Sequence, residues 1–232
     1  MIQTHAYLPH LSLMNSPLEQ IYRGYNAGKL DDKNETPGTG GILENERGAL
    51  FASWIGTGKK VLDLGCFNGA LSRYYLAGNE VTGFDIDPAT LAHCPSGMKT
   101  EAHDLNGDWH KGHEGEFDVV VASEVIEHLY YPKNVLKKID AVLKPGGLFI
   151  GSVPNAFNFK NRVRLFLARP EATPLGEPTH INQFSYAMLK KLLEQAFDNV
   201  RIEGVVQPKW KWASDLSPDL GSFILAFHAQ KK

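Results

Sequence analysis

Two carboxylates frame a glycine turn in this chain. Asp63 lies in the apolar run Val61–Leu64, Gly65 and Gly69 follow it, and Asp85 ends a second apolar run twenty positions after Gly65. A buried strand that enters a glycine turn and then a helix is the architecture of a nucleotide-cofactor pocket, and an acid at the end of the next strand suits the two hydroxyls of a ribose. The dinucleotide version of that turn, GxGxxG, needs its second glycine so that backbone can approach a pyrophosphate. Here Phe67 stands in that place and GCFNG has no such register. The turn therefore disfavours a diphosphate. Free N–H groups at a helix start suit a carboxylate instead, and Asp63 could receive an ammonium group.

A second group of chemistry-bearing residues falls in SEVIEHL, Ser123–Leu129, where Glu124, Glu127 and His128 follow a run of valines. The carboxyl end of a central strand is where open α/β sheets bind ligands. A histidine of ordinary pKa, about 6.5, is neutral often enough near pH 7 to take a hydroxyl proton, so His128 is a candidate general base. The plainer reading makes it a helix-start histidine bonded to backbone. Further along, Lys160, Arg162, Arg164 and Arg169 alternate with Phe157, Phe159 and Phe166. Such a run can grip a phosphate or a single strand of nucleic acid, but it is more often a solvated helix face. Trp210 and Trp212 either line a pocket or alternate along an edge segment.

The elements that must position these groups alternate along the chain. Strand-like runs KVLDL, EVTGFD, MKTEAHD, FDVVVAS and GLFIGSV are separated by helical segments, which implies a parallel sheet. Val119, Val120 and Val121 form a continuous apolar run, as expected of a central strand covered on both faces. Leu50, Phe51, Trp54 and Ile55 predict a helix before the first strand. Pro132 opens another through Val135, Leu136, Ile139 and Val142, which Pro145 and Gly146 end. A third starts at an N-cap Ser185 and places Leu189, Leu192, Leu193, Ala196 and Phe197 on one face. NVRIEGVV and SFILAFHAQ are expected to form an antiparallel edge pair. Residues 1–43 read as an arm or lid, 44–232 as the core domain, and 155–180 as a lid that lacks a long period.

Five motifs in this order resemble the class I S-adenosylmethionine-dependent methyltransferases: VLDLGCFNG, GFDID, AHDLN, FDVVVASEVIEHL and LKPGGLFIGSVPN. The resemblance runs from about Glu44 to the C-terminus, and its motifs are nearest to the ubiquinone-biosynthesis O-methyltransferase-like group. It implies an α/β fold with a doubly wound, mostly parallel seven-stranded sheet. The donor, S-adenosyl-L-methionine, and its product S-adenosyl-L-homocysteine would then be held by Asp63, Gly65, Cys66, Phe67, Asn68, Gly69, Asp85, Ile86, Asp104, Leu105, Ser123 and Glu124. Asp104 and Leu105 take the adenine position, although an aspartate before a polar loop is also a common turn. Phe67 departs from the family's usual glycine. His128 and His180 would face the acceptor, a small molecule methylated on a hydroxyl. In two subfamilies a similar ExxEH segment holds a divalent metal, with a later-loop histidine that His180 could match. Many members carry EVIEHL without metal, so no cation is favoured. A nicotinamide oxidoreductase and a non-catalytic donor-binding module remain as alternatives.

The composition bounds the partners. The 232 residues suffice for one α/β domain with an appendage, and the formal net charge of -2 gives no general attraction to nucleic acid or an anionic membrane. Two cysteines, 28 residues apart and outside any CxxC pair, exclude a disulfide scaffold or structural zinc site. With no apolar run long enough to span a bilayer and no leader-like start, the expected location is cytoplasmic.

Overall fold

A computed structural model describes residues 42–232, so the expected arm at 1–43 lies almost wholly outside the described residues. The core is a seven-stranded sheet: β1 (Lys60–Leu64), β2 (Glu80–Asp85), β3 (Lys99–Ala102), β4 (Phe117–Ser123), β5 (Leu143–Pro154), β6 (Phe197–Val205) and β7 (Ile224–Lys231). Their spatial order is β3-β2-β1-β4-β5-β7-β6. The first five strands pair in parallel, and β7 runs antiparallel between β5 and β6. The expected doubly wound, mostly parallel sheet with an antiparallel edge pair is the one observed. Chain order reverses direction at the β1/β4 junction, the place where open sheets of this kind open a crevice.

The valine run explains why β4 is central. Val119 and Val121 pack with Val61, Val81 and Ile150 on one face, while Val120 and Ala122 pack with Leu62, Leu64 and Phe149 on the other. Both faces are dry, so an alternating apolar-polar pattern is not needed. Helix α1 (Glu44–Ile55) covers the first face through Phe51 and Ile55. Two short helices, α2 (Arg73–Leu76) and α3 (Pro88–Leu91), follow β1 and β2. The opposite face is covered by α4 (Pro132–Val142), with Val135, Leu136, Ile139 and Val142 buried, and by α6 (Tyr186–Glu194), capped by Ser185. Between them lies α5 (Phe159–Phe166), and α7 (Lys211–Leu216) and α8 (Pro218–Gly221) precede β7. Among the described residues no helix is long and apolar enough to cross a membrane.

Four local expectations are corrected. The glycine turn does not run straight into a helix: α2 starts at Arg73 and is one turn long, so its dipole is a weak anchor for a carboxylate. Phe197 opens β6 rather than extending α6, because the helix ends at Glu194. KPGG lies inside β5, where the register with β4 slips between Phe117 and Val119. The stretch after Asn155 contains α5, whose eight residues are too few for a legible period, with Asn158 as its cap.

The tryptophans and the basic run fall on short surface helices. Trp210 and Trp212 lie in the 208–216 helical segment, both exposed, and not on an edge strand. In α5 the Arg162 guanidinium pairs with Asp219 at 2.7 Å, and Arg164 donates to the Ala172 carbonyl. Two of the four cations are thereby spent on local structure.

Candidate functional site

At the carboxyl end of β1 the chain makes three left-handed turns in five residues: Gly65 at φ 67°, Phe67 at 52° and Gly69 at 70°. Gly65 has a second reason to lack a side chain. A Cβ there would lie 2.6 Å from Val125 Cγ2, so the turn packs directly on the segment after β4. Phe67 is the unusual member, since a non-glycine residue at positive φ is strained. Its N–H donates to Asp85 Oδ2 at 2.9 Å, which pins the turn in that conformation. The phenylalanine at this position is thus compensated by the acid at the end of β2.

Asp85 is nearly buried, and its other oxygen accepts from Asp87 N–H at 3.0 Å. Burial raises its pKa, and these backbone hydrogen bonds pull it back. Asp63 is 3 % exposed and accepts from the hydroxyls of Ser72 at 2.5 Å and Tyr75 at 2.7 Å. Burial pushes its carboxyl up to about 6 against those two hydrogen bonds. Cys66 and Asn68 are buried in the turn, and Asn68 Oδ1 accepts from Ala70 N–H. Ile86 lies half-buried beside Asp85. Asp104 is exposed, and its Oδ1 accepts from Asn106, so it closes the local turn that its sequence also allowed. Leu105 packs in the core, and its carbonyl accepts from Trp109 Nε1.

Across the crevice, at the end of β4, Ser123 and Glu124 are tied to β5. Glu124 N–H donates to the Ser152 carbonyl at 2.9 Å, Ser152 Oγ donates to Glu124 Oε1 at 2.7 Å, and Ser123 Oγ lies 2.9 Å from Ser152 Oγ. These bonds hold Glu124 at φ 56°. Arg47, buried on α1, donates to Ser123 Oγ at 2.7 Å and lies 3.9 Å from Glu124. The sequence reading passed over Arg47, Ser152, Ser72 and Tyr75. Only Arg47 carried a signal, as a charge on the same side of α1 as Phe51.

The next turn, Ile126–His128, meets the returning end of the 155–180 segment. Asn155 and Phe184 form a parallel bridge that closes this segment into a loop. Asn182 then fastens it to the turn, donating from its backbone to Glu127 O at 2.9 Å and from its side chain to Leu129 O at 2.7 Å. The loop therefore carries His180 to His128, with ring centroids 4.9 Å apart and edge to face. His128 Nδ1 lies 2.8 Å from the Thr179 carbonyl, and His180 Nδ1 lies 3.1 Å from the Pro174 carbonyl. A carbonyl only accepts, so each Nδ1 carries the proton. In the neutral rings Nε2 is then left with its lone pair.

Glu127 completes this group. It is 1 % exposed, and neither carboxylate oxygen has a hydrogen-bond partner among the described residues. Burial, reinforced by the nearby Glu124, pushes its pKa well above the ordinary range. Ligand atoms of Glu127, His128 and His180 all lie within 4.8 Å of one another. One hard oxygen donor and two imidazoles whose Nδ1–H groups are held by carbonyls make a set that fits a divalent cation.

A family model described as a methyltransferase domain matches residues 43–200. The chain belongs to this methyltransferase family. A ubiquinone biosynthesis O-methyltransferase of Aromatoleum aromaticum is 36% identical over 128 residues, covering 50% of this chain and 54% of that protein. Another, from Hydrogenovibrio crunogenus, is 31% identical over 148 residues, covering 60% and 61%. The chain thus spans between about half and three fifths of the length of the curated relatives it matches.

Solved structures repeat the fold of this methyltransferase domain. The 1,6-didemethyltoxoflavin-N1-methyltransferase of Burkholderia thailandensis, with bound 1,6-didemethyltoxoflavin and S-adenosylhomocysteine, superposes at TM-score 0.65 with 20% identity, over 100% of this chain and 93% of that one. A S-adenosylmethionine-dependent methyltransferase from Archaeoglobus fulgidus gives 0.61 with 20% identity over 82% and 95%. At these identities the likeness extends to the fold alone.

Proposed function

We propose that this methyltransferase domain moves the methyl group of S-adenosylmethionine to a hydroxyl oxygen of a small molecule. The observation that supports the acceptor half best is the pair His128 and His180. Both imidazoles are anchored through Nδ1 to backbone carbonyls at the carboxyl end of β4, which leaves Nε2 as the basic nitrogen of each neutral ring, and His128 Nε2 lies 4.0 Å from Glu127 Oε1. The curated relatives named as O-methyltransferases favour oxygen as the acceptor atom.

On this reading the glycine turn and Asp85 hold the donor, with Asp85 at the ribose hydroxyls and Asp63 toward the ammonium group. The sulfonium is already an activated leaving group, so the chain's tasks are alignment, exclusion of water and removal of one proton. The C–S bond breaks as the C–O bond forms, and the acceptor's hydroxyl proton passes to His128 Nε2. His180 meets the His128 ring edge to face and keeps that ring in place. The segment 155–180 shapes the acceptor side. Equilibrium binding of S-adenosylhomocysteine, followed by transfer of labelled methyl groups to a panel of phenols, catechols and alcohols, tests the proposal. Binding with label appearing on a hydroxyl is expected, whereas label found only on nitrogen or carbon acceptors overturns the oxygen assignment.

Glu127, whose oxygens accept no hydrogen bond among the described residues, favours a second reading in which His128 Nε2 is a ligand rather than the base. Glu127, His128 and His180 would hold a divalent cation, which when bound lowers the pKa of an acceptor hydroxyl. Chelation with EDTA is then expected to abolish transfer without changing S-adenosylhomocysteine affinity, and magnesium or manganese to restore it. Turnover indifferent to chelation leaves His128 as a base acting without a cation.

A further inference from the structure

The glycine turn carries one thiol and has a second beside it, and the methyl-transfer chemistry uses neither sulfur as a reacting group. Cys66 lies in the turn and is buried, and Cys94, 28 residues on in the loop after α3, is half-buried. Both are free thiols, and both approach one acceptor, the Phe67 carbonyl, at 3.9 Å for Cys66 and 3.5 Å for Cys94. The two sulfurs also border neighbouring glycines: a Cβ on Gly83 would meet Cys66 Sγ at 2.6 Å, and one on Gly69 would meet Cys94 Sγ at 3.4 Å. Residues widely separated in sequence thus bring two thiols to one oxygen, directly beneath the turn assigned to the donor.

We infer that Cys66 and Cys94 are a site of reversible oxidation by peroxide, forming a disulfide that pulls the glycine turn out of its donor-binding geometry. The chemistry divides between the two thiols. Cys94 is the one open to solvent, and a hydrogen bond from Cys66 holds its pKa below the ordinary thiol value, while that same bond and burial push Cys66 up. A solvent-facing, more acidic thiol beside a buried resolving thiol is the arrangement found in peroxide-reactive sites.

The Cys94 thiolate attacks one peroxide oxygen. An S–O bond forms, the O–O bond breaks, and the departing hydroxide takes up the thiol's proton as water. Cys66 then attacks the sulfenic sulfur, so the S–S bond forms, the S–O bond breaks, and a second water leaves with the Cys66 proton. Two thiols and one hydrogen peroxide give one disulfide and two waters. A dithiol reverses the bridge by exchange.

The consequence for the turn is mechanical. A disulfide holds its sulfurs at about 2.05 Å, so one or both cysteines must move from positions that now share a carbonyl. Cys66 adjoins Phe67, whose left-handed backbone is held through the Asp85 carboxylate. Displacing Cys66 therefore disturbs the acid assigned to the ribose.

The test uses the full chain, treated with hydrogen peroxide, alkylated and digested, with its S-adenosylhomocysteine affinity measured before and after. Mass spectrometry is expected to show one peptide pair joining Cys66 to Cys94 with loss of two hydrogens, reversed by dithiothreitol. Oxidised protein is expected to bind S-adenosylhomocysteine about tenfold or more weakly, and Cys94→Ser to bind normally and ignore peroxide. Two free cysteines after treatment, or Cys94 as sulfinic acid without a bridge, overturn the thiol site. A formed bridge with unchanged affinity overturns its effect on the turn. Only the affinity measurement rests on the donor reading: if reduced protein binds no S-adenosylhomocysteine, that reading fails, and the mass alone decides the thiol site.

Discussion

The two sides of the crevice handle buried carboxylates in opposite ways. On the donor side Asp63 and Asp85 are both nearly inaccessible, yet each accepts two hydrogen bonds, from Ser72 and Tyr75 or from Phe67 and Asp87. On the acceptor side Glu127 is buried as deeply and accepts none among the described residues, its Oε1 lying 4.0 Å from His128 Nε2. An unsatisfied buried carboxylate costs about 1–3 kcal/mol or more, so it persists where something other than the resting fold uses it. On the proposed reading the donor side is a hydrogen-bonded scaffold, and the acceptor side holds a carboxyl that a proton or a cation would satisfy.

The largest effect expected to separate the two sides is that of His128→Ala. Loss of a positioned base typically lowers turnover by about 10²–10⁴-fold. Because His128 bonds to Thr179 and meets the His180 ring edge to face, both on the acceptor side, S-adenosylhomocysteine affinity is expected to be unchanged. Calorimetry beside single-turnover transfer checks both halves. Equal losses in binding and turnover would break the division between the sides.

Gly65→Ala probes a place where the sides touch, the approach of Gly65 to Val125. The new methyl would meet Val125 Cγ2 at 2.6 Å from a backbone at positive φ, and strain of this kind costs roughly 1–3 kcal/mol. Both donor binding and the SEVIEH segment should suffer, so affinity and turnover are expected to fall together. Adding Val125→Ala removes the clash but not the φ strain. Partial recovery of melting temperature and affinity is the result that assigns the loss to this contact.

How legible each side was in the sequence follows from how its residues are brought together. The donor turn is local: Asp63 through Gly69 are contiguous, and Asp85 is one strand away. Strand periodicity and glycine spacing were enough to find them. The acceptor side depends on loop closure. His180 meets His128 because Asn155 bridges to Phe184 and Asn182 bonds to the 126–129 turn, links between segments 29 to about 55 residues apart that leave no periodic trace. Resemblance alone suggested that histidine. Arg47 was missed for a similar reason, since its partners Ser123 and Glu124 lie on another element. Short helices were the other loss: α5 has eight residues and α2 four, below the length at which a stripe can be recognised.

The smallest effect on binding, about tenfold, and the one that sharpens the contrast most, concerns Asp63. Its folded pKa of about 6 lies above the value of 3.8 for an ordinary aspartate. The unfolded chain therefore loses this proton first, and stability falls as pH rises from the unfolded pKa through about 6, then levels off. By linkage the whole span is worth at most about 3 kcal/mol for this group. Asp63→Asn keeps an acceptor for Ser72 and Tyr75 but cannot titrate, so its urea midpoint should lack that slope relative to the parent. Donor binding has the opposite sign. If Asp63 receives the ammonium group it must be ionised, so S-adenosylhomocysteine affinity should rise through about pH 6 in the parent protein. In Asp63→Asn that rise should be absent, with affinity near pH 8 lower by about tenfold. A pH-independent affinity in the parent would remove Asp63 from the donor's ammonium and leave it as a structural anchor for Ser72 and Tyr75. Asp85 would then be the one donor-side carboxylate left with a ligand assigned to it.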